Sequence, residues 1–211
     1  MGRNELWLKQ ISNRGYFAND NTNGANNEIW DIVSDDKENL WVGTNKGLLK
    51  YKIISGESIL FQADINDPNG ILHNEIRSLL ITGDGILWIC NTKNIDVYNP
   101  ETKRFKHYYY PKVGETEIVR KYAPVLCEDQ NRNIWLGDSN GLSLFNKEHE
   151  RFETFSIVST GINQITEEIR SLEQDYLGNL WVGTYNGLYV VNTDLSVITH
   201  YVHDENVFWS Q

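Results

Sequence analysis

The chain has 211 residues, 40% of them hydrophobic, and a formal net charge of -10 at pH 7. Such a composition fills a globular core, and its acidity argues against sequence-independent nucleic-acid binding, in which Lys and Arg displace counterions from phosphates. No apolar run approaches the about 20 residues that span a bilayer, the start "MGRNELWLKQ" lacks the regions of a secretory signal, and no direct membrane contact is expected of this segment.

In chain order, residues 1–26 hold "NELWLKQ", which reads as a second strand, and "RGYFAND", which reads as an outer strand. Residues 27–73 begin a fuller unit: an apolar segment around Ile29 and Trp30, a polar loop, "LWVGT", an Asn-Lys-Gly turn, "LLKY" and then "ESILFQAD". Residues 74–120 repeat that order as "EIRSLLI", "TGDG", "LWIC", a Lys-Asn turn, "IDVY" and "KRFKHYYY". Residues 121–166 give "DQNRNIW", "SNG", "LSLF" and "ERFETFSI", and residues 167–204 give "EIRSLEQ", "QDYLGN", "LWVGT", an Asn-Gly turn, "LYVV" and "SVITHYVHD". The final stretch "ENVFWSQ", residues 205–211, reads as the first strand of a further unit. Short apolar segments bounded by Asp- and Gly-rich loops are strands, and Asn-Gly between two of them is the strongest local signal of a hairpin.

Alignment on the shared Trp places Trp41, Trp88, Trp135 and Trp181 in one column, 47, 47 and 46 residues apart. Six residues after it stand Gly47, Asn94, Gly141 and Gly187; eleven before it stand Trp30, Arg77, Pro124 and Arg170. Four antiparallel strands in every 46 or 47 residues, without helical periodicity, predict an all-β fold of four β-propeller blades. The four Trp residues are expected to pack between blades, with the small residue two places on, Cys90 in the second unit, allowing close approach. Cys90 and Cys127 have no CxxC spacing and are expected as small buried thiols.

The units lack the Gly-His start and Trp-Asp end of WD repeats, and the paired glycine and period of about 50 of kelch repeats. The pattern N-E-I-R-S-L … D-x-x-G-N-L-W-V-G-T-x-N-G-L, carried by Asn27 to Tyr51, Asn74 to Tyr98, Tyr122 to Phe145 and Glu167 to Val191, closely resembles the two-component regulator propeller repeat. The resemblance implies the periplasmic sensor region of a hybrid two-component system of the Bacteroides type, an inner-membrane protein. Such regions detect polysaccharide breakdown products and work as dimers, under propellers of typically about seven blades. The kinase, phosphoacceptor and DNA-binding parts would lie outside these residues, so the chain itself is not expected to be an enzyme.

With four complete units, the chain reads as part of a larger ring, a ring closed by its own ends, or an arc that associates through open blade edges. At the start of the inner strands Trp30, Arg77 and Arg170 are candidate ligand residues: an indole stacks on a sugar while Arg bonds its hydroxyls. The alternative is that the arginines pair with Glu75 and Glu168. "KHYYYPK" should send Tyr108 and Tyr110 to one face and Tyr109 to the other, a candidate partner surface or half-buried packing. "DINDPNGILHNE" has its Gly70 one place late for a calcium loop and Pro68 at a ligand position, so it reads as a polar loop between blades, and no metal or cofactor is expected. No Gly-x-Ser-x-Gly, His-Glu-x-x-His or phosphate loop occurs, and of the five His residues only His200 and His203 are neighbours. A protein-binding scaffold and, third, a propeller lyase or glycosidase are the competing functions.

Overall fold

The structure, a computed structural model, describes residues 28–111, 123–156, 162, 164–196 and 198–202. The expected partial blade at 1–26 and strand at 205–211 lie outside the described residues. Sixteen strands and no helix are found among the described residues. They are β1 (Ile29–Ser34), β2 (Asn39–Thr44), β3 (Gly47–Lys52), β4 (Ser58–Phe61), β5 (Ile76–Ile81), β6 (Leu87–Asn91), β7 (Asn94–Asn99) and β8 (Arg104–Tyr109). The second half continues with β9 (Val125–Glu128), β10 (Ile134–Asp138), β11 (Gly141–Asn146), β12 (Arg151–Thr154), β13 (Ile169–Gln174), β14 (Leu180–Thr184), β15 (Gly187–Val191) and β16 (Ile198–Tyr201). Each consecutive four form one antiparallel meander, giving four separate sheets. The first strands β1, β5, β9 and β13 touch in succession, so they are the inner strands of successive propeller blades.

Why the second strands lack alternation follows from this stacking. β6 and β10 are buried at every position, and β2 at all but one, because a neighbouring sheet covers each face. Outer strands keep a mixed pattern: in β8, Tyr109 is exposed while Tyr108 and the following Tyr110 pack in the core between the second and third blades, as alternation requires.

The Trp column works as expected in three blades. Trp41 packs with Ile76, Leu87, Ile89 and Tyr98 of the second blade, Trp88 with Ile134, Leu136 and Phe152 of the third, and Trp135 with Ile169, Leu180 and Tyr189 of the fourth. Each buried ring of this size contributes on the order of 1.5–3 kcal/mol. Trp181, in the last described blade, is 36% exposed. The small residue two places after the Trp faces the next blade: a Cβ on Gly43 would lie 2.9 Å from Ile76 Cγ2, and one on Gly137 would overlap Ile169. Cys90, in the same column, is buried, and Cys127 half-buried, its thiol pushed up to about 11 by burial and by Glu173; the two do not form a disulfide.

The hairpins form where Asn-Gly predicted them, with a different backbone. A type I′ turn needs positive φ at both central residues, yet Asn45, Lys46, Asn140 and Asn186 do not have it; positive φ falls on Gly47 (132°), Gly141 (102°) and Gly187 (125°), the first residues of the third strands. The reason is a side chain ahead of the turn. Thr44 Oγ1 accepts from Lys46 N (3.0 Å) and donates to Gly47 O (2.8 Å), and Thr184 does the same for Asn186 and Gly187.

A second column explains the Asp and Asn of the repeat. Six residues before the Trp, Asp35, Asp129 and Asp175 each accept from the indole Nε1, at 3.1, 2.9 and 2.8 Å. Each also accepts from the side chain and backbone of Asn39, Asn133 or Asn179. This clasp ties the loop between first and second strands to the interblade ring. Those loops place Glu38, Gly85, Arg132 and Gly178 at positive φ, two of them non-Gly.

Candidate functional site

Trp30, Arg77 and Arg170 owe their orientation to a β-bulge. The pairing of each first strand with its second slips between Ile29 and Asp31, Ile76 and Ser78, and Ile169 and Ser171. The residue skipped is Trp30, Arg77 or Arg170, and a bulged residue is released from alternation and re-aimed. Pro124, in the same column, precedes β9, whose pairing with β10 runs without such a slip. All three candidates stand at the end of the propeller that carries the turns between second and third strands, because the first strands begin there.

The structure brings Trp30 and Arg77 together. The guanidinium lies 3.8 Å from the Trp30 ring centre, and its Nη2 is 2.5 Å from Glu75 Oε1. Arg170 sits apart from that pair, 4.5 Å over the Tyr185 ring and 2.8 Å from Glu168. The pairings with Glu75 and Glu168 are thus present, and one face of each aromatic ring is occupied by its arginine. At the same end, Ser139 Oγ and Asn140 Nδ2 in the turn of the third blade are buried without hydrogen-bond partners among the described residues.

Sequence reasoning passed over a polar network beneath this end of the second blade. Asp96, fully buried, stands where the first and fourth blades have Leu49 and Tyr189. Its carboxylate faces His107 Nδ1 at 2.7 Å and accepts from Asn91 Nδ2, Asn94 Nδ2 and Leu72 N. Burial pushes the Asp96 carboxyl up, against the bonds from His107 and Asn94 that hold it down. His107 Nε2 is 3.2 Å from Pro68 O, so the network pins the loop "DINDPNGILHNE" to the blade. That loop closes on itself, with Asp64 and Asp67 accepting from the amides of Asn66 and Asn69. The available signal was cross-strand: Asp96 and His107 are directly paired, as Leu49 and Leu60 are in the first blade. In the fourth blade the same pair is Tyr189 and His200, stacked 3.8 Å apart; burial and the Glu167 carboxylate push the Tyr189 hydroxyl up to about 12. His203 lies outside the described residues. No group of three or more His, Cys, Asp or Glu suited to a metal occurs among the described residues.

The family model for the two-component regulator propeller matches residues 23–46 and 163–186. The chain carries two-component regulator propeller repeats. No curated protein matches it. Among solved structures, it is similar to the extracellular domain of the putative one component system BT4673 from B. thetaiotaomicron, with 24% identity over 90% of this chain and 24% of that one, TM-score 0.69. It is also similar to the extracellular domain of the putative hybrid two component system BT3049 from the same organism, with 19% identity over 90% of this chain and 30% of that one, TM-score 0.50. PorZ, a bacterial surface component of the type-IX secretion system of Porphyromonas gingivalis, shares the fold at 17% identity over 85% of this chain and 28% of that one, TM-score 0.63. At these identities the shared property is the all-β propeller fold. The chain spans about a quarter of the length of the first structures it matches.

Proposed function

We propose that the chain is part of the extracytoplasmic, periplasmic propeller of a two-component sensor, and that its ligand is an oligosaccharide. The observation that carries this reading is the pair of two-component regulator repeats, one in the first described blade and one in the fourth. The fold shared with the extracellular domain of BT4673 supports it. In this reading the arc of blades performs no chemistry. Its ligand favours one arrangement of an ectodomain dimer over another, and a histidine kinase elsewhere in a longer protein reads the difference. Interleaved donors and acceptors beside aromatic rings, as at Trp30, Arg77 and Glu75, suit a polyhydroxylated ligand better than a strongly charged one. Isothermal titration of the purified chain against neutral plant and host oligosaccharides tests the proposal. Binding of at least one is expected; absence of binding across the panel overturns it.

A protein-binding scaffold is the second reading, favoured by aromatic side chains left open on the fourth blade: Tyr185 is 70% and Tyr201 56% exposed. The same surface would serve association between copies. Light scattering separates the two readings from each other only together with the titration: a scaffold binds protein and no sugar.

A further inference from the structure

The fold has no need of a charge where Asp96 and His107 stand. The same two cross-strand places carry Leu49 and Leu60 in the first blade and Ser143 and Thr154 in the third. The Asp96 side chain is nevertheless 0% exposed and that of His107 20%. Both ring nitrogens of His107 face oxygen: Nδ1 is 2.7 Å from Asp96 Oδ1, and Nε2 is 3.2 Å from Pro68 O. A carbonyl oxygen only accepts, so Nε2 carries a hydrogen. A neutral imidazole has a single N–H, which would leave Nδ1 a bare lone pair against an ionised carboxylate. One more proton between Nδ1 and Oδ1 removes that clash and balances the buried charge, which the amide donors from Asn91, Asn94 and Leu72 cannot do. Burial, which pushes the Asp96 carboxyl up, acts in the same sense.

We infer that Asp96 and His107 hold one proton between them, and that this proton latches the loop over residues 64–75 to the second blade. With the proton in place, His107 reaches Pro68 O on one side and Asp96 on the other, while Asp96 accepts from Leu72 N. When the proton leaves to solvent, the pair becomes a buried negative charge facing a lone pair, and His107 can no longer bridge both oxygens. Release is confined to the loop tip around Pro68, because Ile71 stays in the interblade core and Ala63 N still donates to Asn74 Oδ1 at 2.6 Å. The loop leads into Glu75, which pairs with Arg77 over Trp30, so the latch and the candidate ligand side chains share one segment. The inference rests on the geometry of the pair and is independent of the sensor reading.

Other charges surround the pair without replacing either member. On the loop are Asp64 and Asp67, which accept from their own loop's amides, and His73. Burial and Lys93, in the turn before β7, hold the His73 imidazole below its ordinary value, against the pull of Asp96. Glu150, Arg151 and Glu153 of the third blade line an outer groove with His107. Glu150 is matched by Lys106, and Glu153 by Arg151 and His149. Asp96 is the one carboxylate paired with the His107 ring among the described residues. In the unfolded chain the two groups have ordinary values of about 3.9 and 6.5. Above about pH 6.5 the folded pair therefore holds more protons than the unfolded one. The latch contributes fully between about pH 4 and 6.5, and its contribution is lost as pH rises through the point where the folded pair releases its proton.

The test follows the ring nitrogens of His107 in the ¹⁵N-labelled full chain by NMR from pH 5 to 9, together with amide exchange at Asn69 and Leu72 corrected for intrinsic rates. Asp96→Leu/His107→Leu, which installs the pair of the first blade, assigns the His107 signals and removes the latch. The native pair is expected to release its proton at least about one pH unit above the ordinary 6.5 of imidazole. Beyond that midpoint the corrected exchange should quicken up to about tenfold per pH unit. In the double variant the corrected exchange should not change with pH. A midpoint at or below about 6.5, a loop whose corrected exchange ignores pH in the native chain, or a double variant that keeps the native pH dependence overturns the inference. The titration of the native chain decides by itself if the double variant does not fold, with His107 then assigned through bonds to its backbone.

Discussion

Asp129→Ala is the sharpest probe of the interblade clasp. The carboxylate accepts four hydrogen bonds: from Trp135 Nε1 at 2.9 Å, Asn133 Nδ2 at 2.8 Å, and the amides of Asn131 and Asn133, both at 2.8 Å. Three of these donors belong to a loop that water reaches, and each loses about the 0.5–1.5 kcal/mol net of an ordinary hydrogen bond. Trp135 is 0% exposed, so its N–H has no solvent substitute and adds the about 1–3 kcal/mol penalty of an unmatched buried donor. The expected loss is about 2.5–7.5 kcal/mol. Asp175→Ala removes the same set of bonds, yet Trp181 is 36% exposed and its indole can turn to water. Its cost must be clearly smaller. Urea unfolding followed by tryptophan fluorescence, with hydrogen exchange of β10 and β14 as a local readout because stacked repeats can unfold piecewise, measures both. Equal costs for the two variants would refute the argument that burial of the ring, and not the loop bonds, makes the clasp strong.

Gly137→Ala should destabilise by about 1–3 kcal/mol through overpacking against Ile169, whose Cβ would lie 2.9 Å from the added carbon. A double-mutant cycle with Ile169→Ala should recover at least about 0.5 kcal/mol of that loss; strict additivity would show that the glycine is not set by the facing blade. Glu38→Gly should stabilise by about 1 kcal/mol in the same unfolding assay, since Glu38 sits at φ 62° where the equivalent second and fourth blades use Gly85 and Gly178. The Trp181 and Asn179 side chains hold the Asp175 carboxyl at about 2, below its ordinary 3.8. A depressed carboxyl stabilises the fold above about pH 4 and loses that contribution as pH falls toward 2, so NMR titration should find its midpoint near 2 in the folded chain, and a midpoint near 4 would contradict the bond geometry.

The period of the sequence alone determined the four-strand units, their order, the place of each hairpin, and the Trp and Gly columns, because those features are local and recur every 46 or 47 residues. Alternation was enough to sort Tyr108, Tyr109 and Tyr110 between faces, since a strand's side chains have no other choice. What needed tertiary structure was every property that depends on a neighbour far along the chain or on a local break in the rule. The bulge that re-aims Trp30, Arg77 and Arg170 is a slip in pairing, invisible in residue spacing. The exposure of Trp181, in a column otherwise buried, depends on what lies beyond its blade. Asp96 and His107, eleven residues apart, meet only when β7 and β8 pair.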